Sequence, residues 1–439
     1  MEETNEQQSR QNSEIKPKIS SAIQLSLWDD VLGPRAEKVW QEESNPIISH
    51  EAQTYLARHT LSSDISREDT ETIDSNFHII PDFNYIVSSV SFRQQQSPTS
   101  STSMSLSLLL HRNLLETYLP IYRLSEERLK SLAVNLKTLL SQENTTRQQA
   151  VDKLTQYALK FQEYIRVHLE CKLEPVKIPL TFFSSSKAYK PDFLAKAITS
   201  HLQTFCCSVV TGTNEEEINY FIDSLSFFFR LKEHRLSSHV TKENTYIPDL
   251  FLQGIVRKSK EDANTIPGCV VESFYPTTWI DLTNKVVKQS PLYNKHHYFR
   301  SEYFQPIGKE NTEIEMAKKR GSKFTTVRTA APFVEKLLEL VYKLPLSLRR
   351  SYIQLWVNLL YRKAIVLIKY RDSKRLEKKT QDQSSLLIDK KEIKEILDLE
   401  SDAEFYTLLA AAEKLEPNIF HDFEQSIKGM EKRFQQYFI

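Results

Sequence analysis

Glycine is scarce in this sequence, and its scarcity limits the folds and sites that the chain can build. Only seven of the 439 residues are glycine, against a usual share of about 7%. Dinucleotide-binding fingerprints, P-loops and nucleophile elbows each require glycines two to five residues apart. No two glycines lie within ten residues of each other here. The sequence therefore excludes all three motifs.

Charge and cysteine content narrow the class of protein further. The 58 basic and 57 acidic residues give a net charge of +1, so no overall field favours nucleic acid. The four cysteines form no C-x-x-C pair, which argues against a zinc site or a disulfide framework and suits a reducing compartment; they are Cys171, Cys206, Cys207 and Cys269. We expect a cytoplasmic protein without a signal peptide, transmembrane helix, metal or cofactor.

The first 170 residues predict a disordered tail followed by an α+β domain. Residues 1–20 are polar and form the predicted tail. Within 21–170, alternating apolar residues predict five antiparallel strands with helices on one face, and Ser125 is the predicted N-cap of one helix. The Gln/Ser/Thr-rich residues 93–103 are predicted to form a flexible loop.

The remaining sequence predicts an α/β region and then a helical region. Residues 171–186 are predicted to be a linker, 187–330 an α/β domain and 331–439 a helical domain. Asn214 or Thr213 should cap a helix that begins with Glu215, and further strands are expected at 250–256 and 269–274. The apolar stretch 347–370 predicts a helix buried on most sides, and the charged stretch 371–391 predicts a loop.

No group of residues assembles a nucleophile, a base and an orienting group. His296 and His297 are adjacent and, on a strand, would face opposite ways, so they are not expected to share a metal. The acidic run 215–217 is explained by a helix start. The basic runs at 318–320 and 374–379 suit either a membrane surface or a solvated loop. The residues alone therefore indicate an interaction protein without enzymatic activity of its own.

Several segments resemble the longin–DENN family. Residues 28–35, WDDVLGPR, resemble the opening of longin–DENN proteins, and shorter similar segments follow in the same order to about residue 420. The resemblance implies a longin domain at 21–170, then a DENN module with its central α/β part at 187–330 and its helical part at 331–439. It marks four candidate partner-contact or motif residues: Trp28, Asp29, Arg35 and Trp40.

The resemblance also implies partners and a cellular setting. It implies a complex with a second longin–DENN protein of the Smith–Magenis-region type and with a WD-repeat protein. That complex would act on Rab and Arf small GTPases in autophagy and in lysosomal and endosomal traffic. The chain would be cytoplasmic and recruited peripherally to lysosomes, endosomes and autophagosomes.

Four mechanisms remain open at this point. The chain is either a non-catalytic subunit of a GTPase-activating complex, whose catalytic arginine lies in the partner, or a guanine nucleotide exchange factor. A scaffold without GTPase action and an unrecognised hydrolase or transferase are further alternatives. Arg35 follows a Gly-Pro turn, and we expect it to anchor a hairpin instead of serving as an arginine finger.

Overall fold

The computed structural model describes residues 21–41, 48–61, 72–97, 100–142, 145–242, 244–257, 268–304, 316, 318–320, 323–381 and 388–426. The predicted N-terminal tail, 1–20, lies outside these residues. The chain divides into two compact units, with the boundary between Glu170 and Cys171. Within the described ranges, no helix combines the length and the apolar character needed to cross a membrane.

The first unit contains the predicted five-stranded antiparallel sheet. Its spatial order is β2-β1-β5-β4-β3. The strands are β1 Ser21–Asp29, β2 Gly33–Trp40, β3 Ile73–Ile80, β4 Tyr85–Ser97 and β5 Ser100–His111. The helices are α1 His50–Leu61, α2 Leu115–Tyr118, α3 Tyr122–Leu140 and α4 Arg147–Glu170. The predicted α+β class is confirmed for this unit.

Helices cover both faces of this sheet, so the prediction of one covered face was wrong. Helix α1 packs on the face that carries Gln24 and Ser26, while α3 and α4 pack on the other face. Gln24 and Ser26, which suggested a solvated face, are both buried, and polar residues of this face bond to α1. Gln24 donates to the Gln53 carbonyl at 2.9 Å, and the Thr60 and Ser105 hydroxyls are 2.8 Å apart.

Two further local predictions in the first unit were wrong. Residues 93–103 do not form a long loop, because β4 runs to Ser97 and β5 begins at Ser100. Gln94 is buried there, and its amide donates to the Ser141 hydroxyl at 3.2 Å. Ser125 lies inside α3 instead of capping it, and its hydroxyl donates to the Tyr122 carbonyl at 2.8 Å.

The second unit contains a mixed five-stranded sheet in the order β10-β9-β8-β6-β7. Strand β6 is parallel to β7 and β8, whereas β9 is antiparallel to β8 and β10. The strands are β6 Ser208–Gly212, β7 Leu252–Val256, β8 Thr278–Asp281, β9 Val286–Gln289 and β10 Thr325–Thr326. The strand predicted at 269–274 is absent, since Gly268–Glu272 forms a 3-10 helix and the Ser273 amide donates to the Val270 carbonyl at 3.1 Å.

Helices surround this sheet and make up the C-terminal part of the unit. They are α5 Pro191–Gln203, α6 Glu215–Leu225, α7 Leu231–His234, α8 Tyr293–Tyr303, α9 Pro332–Lys343, α10 Leu346–Gln381, α11 Lys390–Ile396 and α12 Asp402–Leu415. A further helical stretch covers 419–426. The predicted cap of α6 is confirmed: the Asn214 side chain accepts from the Glu216 and Glu217 amides at 2.8 and 3.2 Å.

Helix α10 runs through the first part of the predicted loop 371–391. Arg371 is 1% exposed and is held by carboxylates of Asp372, Glu416 and Asp422. These ion pairs neutralise a charge that favoured a loop on composition alone, so the helix continues to Gln381. Residues 382–387 lie outside the described part of the chain.

Gly254 in β7 is required by the close approach of α6. A methyl group placed there would lie 2.6 Å from Ile218 Cγ2 and 2.7 Å from Val240 Cγ2. Both distances are shorter than carbon atoms tolerate. The missing side chain therefore lets α6 pack directly against the sheet.

The connection from α5 to β6 is a tight, buried turn. Phe205 and Cys206 both adopt left-handed backbone conformations, with φ values of 61° and 68°. The Phe205 carbonyl accepts from Lys414 Nζ at 3.1 Å, and that ammonium lies 2.6 Å from Glu233 Oε1. Cys206 and Cys207 are buried free thiols, as predicted. Burial raises the pKa of Cys206 to about 11.

Candidate protein-interaction site

The tip of the β1–β2 hairpin carries most of the sequence motif and has a defined shape. Asp29 Oδ1 accepts from the Val31 and Leu32 amides at 3.0 Å each. These two hydrogen bonds lower the pKa of Asp29, and the Arg35 guanidinium adds a smaller contribution. Gly33 completes the turn with a φ of 76°, a conformation that disfavours residues with a Cβ. The tip is therefore held by hydrogen bonds between the Asp29 carboxylate and the backbone of the turn.

Three apolar side chains project from this tip into solvent. Val31 is 91% exposed, Leu32 72% and Trp28 43%. Adjacent exposed apolar groups on a well-fixed turn are unusual for a surface that stays in water. Trp28, Val31 and Leu32, which we call the hairpin tip, are suited to contact an apolar recess of another protein.

Arg35 stays close to the hairpin instead of standing clear of it. Its Nε lies 3.6 Å from Asp29 Oδ2, and its Nη2 lies 3.5 Å from Glu37 Oε2. Both carboxylates belong to the same hairpin. This geometry matches the anchoring role expected for Arg35 from the sequence.

Trp40, the fourth candidate residue, lies in the core of the first unit. It is 4% exposed, and its indole Nε1 donates to the Thr155 hydroxyl at 3.0 Å. The bond ties the end of β2 to α4. The structure thus brings Trp28, Asp29 and Arg35 together and places Trp40 at the opposite end of the strand, where it faces no solvent.

The histidines that were considered as metal ligands pack and form hydrogen bonds within the fold. His296 and His297 lie in helix α8, so the expectation that they lie on a strand was wrong. His296 is buried, its Nε2 is 2.7 Å from the Ser273 carbonyl, and desolvation lowers its pKa to about 4. Among the residues that the structure describes, no cluster of three or more His, Cys, Asp or Glu could hold a metal ion.

A charged network at the carboxyl ends of β6 and β8 escaped the sequence analysis. Arg257 Nη2 lies 2.6 Å from Asp281 Oδ1 and donates to the Thr211 hydroxyl at 2.7 Å. The Trp279 indole donates to the same hydroxyl at 2.9 Å. All four side chains are buried, so the network fixes the strand ends and offers no accessible reactive group. No sequence motif marked it, because its members come from three separate strand ends.

Comparisons with known proteins agree with the sequence resemblance. The human protein named guanine nucleotide exchange factor C9orf72 is 28% identical over 446 aligned positions, covering 92% of this chain and 91% of the human protein. The mouse homologue shows the same identity and coverage.

One solved structure and one family model complete the comparison. The longin domain of K. lactis Lst4 matches 35% of this chain and 99% of its own length, at 13% identity and a TM-score of 0.28. The model of the C9orf72-like protein family matches residues 55–296. Because that match spans more than half of the sequence, the chain belongs to the C9orf72-like protein family.

Proposed function

We propose that this chain regulates a small GTPase of the Rab or Arf class and acts on it as a guanine nucleotide exchange factor. The observation that carries the proposal is the similarity, over 92% of the chain, to proteins named as exchange factors. An exchange factor binds the nucleotide-free GTPase more tightly than the loaded form and so expels the nucleotide by linkage. This activity requires a binding surface and no reacting side chain.

The hairpin tip supports a mechanism based on binding. Its apolar residues are exposed, while Asp29 and Gly33 fix the turn before any partner arrives. Little conformational entropy is then lost on docking. We assign the tip to contact with a partner protein, for which a second longin–DENN protein is our candidate.

The wider assignments follow from the family resemblance and form part of the same proposal. They are a longin domain at 21–170 and DENN parts at 187–330 and 331–439, joined by 171–186. They also include a WD-repeat partner and cytoplasmic location, with recruitment to lysosomes, endosomes and autophagosomes. The proposed joining segment 171–186 is not fully exposed, because its residues Phe182 and Phe183 are buried in the second unit.

Nucleotide release measures the proposed activity directly. Rab and Arf GTPases loaded with fluorescent GDP are mixed with the purified full chain and excess GTP, and loss of fluorescence is followed. We expect accelerated release from at least one GTPase. When the candidate longin–DENN partner is also present, we expect a smaller acceleration for Leu32→Glu, which places a charge at the tip that contacts this partner. Unchanged release across the whole panel, with and without the candidate partner, would contradict the proposal.

A second candidate function is that of a non-catalytic subunit in a GTPase-activating complex, and the placement of Arg35 agrees with it. Arg35 contacts Asp29 and Glu37 of its own hairpin, so the catalytic arginine of such a complex would come from the partner. In single-turnover GTP hydrolysis by the reconstituted complex, we expect Arg35→Ala to change the rate less than about twofold. Removal of a true finger costs roughly 10³–10⁵-fold.

Lys160→Ala supplies the matched control for Arg35→Ala, since Lys160 is an exposed cation on α4 in the same unit. Equal rates for the two variants agree with an anchoring role for Arg35. A fall of a thousandfold or more for Arg35→Ala alone would identify Arg35 as the finger and overturn the second candidate as stated.

A further inference from the structure

Helix α10 exposes a row of apolar side chains to solvent. Leu348 is 53% exposed, Leu355 54%, Leu359 46% and Val366 45%. The sequence predicted a helix buried on most sides, and on this side the prediction was wrong. Exposed apolar groups that line up on one surface mark a site of contact with another molecule. We call these four residues the α10 stripe.

The α10 stripe has the spacing of a coiled-coil seam. Its members are seven, four and seven residues apart, so they stay within a narrow arc of the helix at about 100° per residue. The two remaining positions of the seam are Tyr352, which is half-buried, and Arg362, which is exposed. The six positions from Leu348 to Val366 extend over about 27 Å of helix. The seam is therefore long enough to pack against one other helix.

The α10 stripe matches itself when two copies of α10 run in opposite directions about Val357. Residues that lie equally far before and after Val357 then face each other across the contact. Leu348 of one copy faces Val366 of the other. Leu355 of one copy faces Leu359 of the other. Each apolar side chain of the stripe thus meets an apolar side chain.

Arg362, the charged member of the seam, also finds a partner in this register. It faces Tyr352 of the second copy, and a guanidinium over a tyrosine ring is a favourable contact. A parallel pairing would instead place two Arg362 side chains in one layer of the seam. The antiparallel arrangement separates them by about 15 Å along the axis, which exceeds the Debye length of about 8 Å at physiological ionic strength. Charge therefore selects the antiparallel pairing.

Two other cations on this part of α10 are engaged within their own chain. Lys363 Nζ donates to the Leu397 carbonyl at 2.7 Å. Lys369 Nζ lies 3.7 Å from Asp372 Oδ2. Repulsion between two copies at this face is correspondingly small.

We propose that this chain forms a homodimer in which the α10 stripe packs antiparallel on the α10 stripe of a second copy. A surface that pairs with itself about a two-fold axis closes into a dimer. The helix is formed beforehand, so little conformational entropy is lost on docking. Six seam positions per copy make a contact at the small end of specific interfaces, so we expect association at micromolar concentrations.

Sedimentation of the full chain over roughly 1–300 μM tests the oligomeric state. We expect the average mass to rise with concentration toward twice that of one chain. Leu355→Glu should raise the dissociation constant at least about a hundredfold, because each copy then buries a carboxylate against Leu359 of the other. Since Leu355 is exposed in the single chain, this variant should keep its melting temperature. Gln354→Glu adds the same charge at an exposed position turned away from the stripe, and it should dimerise like the wild-type chain.

Disulfide crosslinking tests the register of the two helices. A mixture of Leu348→Cys and Val366→Cys chains should give a covalent dimer on mild oxidation, since facing seam positions lie within the roughly 4–7 Å between Cα atoms that a disulfide spans. Leu348→Cys chains alone should not crosslink, because their two sulfurs would lie about 27 Å apart. The wild-type chain, oxidised in the same way, controls for its own thiols.

Each of four outcomes would overturn the proposal. The first three are a mass that stays at that of one chain at the highest concentration, equal dissociation constants for the wild-type chain and Leu355→Glu, and crosslinking of Leu348→Cys chains with themselves instead of with Val366→Cys. The fourth is a monomeric wild-type chain whose binding to the candidate longin–DENN partner is lost in Leu355→Glu, which would assign the stripe to that partner. Dimerisation is measured without a GTPase, so failure of the exchange proposal leaves this one standing.

Discussion

Replacing Lys414 by methionine is expected to destabilise the second unit by about 3–5 kcal/mol, the usual cost of removing one partner from a buried ion pair. The Lys414 and Glu233 side chains are 6% and 0% exposed, and the charged atoms are 2.6 Å apart. Methionine fills a similar volume but leaves the Glu233 carboxylate buried without a cation. The Phe205 carbonyl also loses a donor. Urea unfolding of the full chain, with hydrogen exchange at β6, measures the effect.

Two further variants separate the ion pair from simple packing at Lys414. Combining Lys414→Met with Glu233→Gln removes both charges and should recover most of the lost stability. Lys391→Met, at an exposed position on α11, should change stability by less than about 0.5 kcal/mol. If the double variant is no more stable than Lys414→Met alone, the uncompensated carboxylate is not the cause.

Gly254→Ala is expected to destabilise the same unit by about 1–3 kcal/mol, the typical cost of overpacking. The new methyl group would meet the side chains of Ile218 and Val240 at 2.6 and 2.7 Å. Relief requires α6 to move away from β7. Faster hydrogen exchange in 215–225, together with a lower urea midpoint, would show this displacement. An unchanged midpoint would mean that the two side chains rearrange freely.

Gly33→Ala gives an instructive contrast, because no atom lies within 4 Å of a methyl group at that position. Its cost comes from the positive φ of 76° and should be about 1 kcal/mol. That cost should be confined to the first unit. The two glycines are thus needed for different reasons, one for space and the other for backbone conformation.

Local chemistry made part of this fold predictable. The Asn214 cap, the antiparallel strands and the two buried thiols of Cys206 and Cys207 all follow from residue types at short spacing. The errors arose where polar residues are buried. Gln24 and Gln94 are residue types typical of a solvated strand or loop, yet Gln24 bonds to the Gln53 carbonyl of α1 and Gln94 to Ser141, the residue that follows α3. Arg371 is the same case with ion pairs.

The candidate sites differ in the same way. The hairpin tip was predictable because Asp29 and Gly33 form a turn from adjacent residues. The network of Arg257, Thr211 and Asp281 was not, since its members come from three separate strand ends and meet only in the folded chain. Periodicity placed Leu355 and Leu359 on an apolar face. It did not reveal that the chain has no element to cover that side of α10 among its described residues.

The buried turn between α5 and β6 bears on how this protein can be labelled. With a pKa of about 11 for Cys206 and burial raising the pKa of Cys207 as well, both sulfurs stay protonated near neutral pH. Maleimides and peroxides react with thiolates, so these two sulfurs are poor nucleophiles behind a closed core. A cysteine introduced in place of Leu32 would react well ahead of them, and a fluorophore there would report on docking at the hairpin tip.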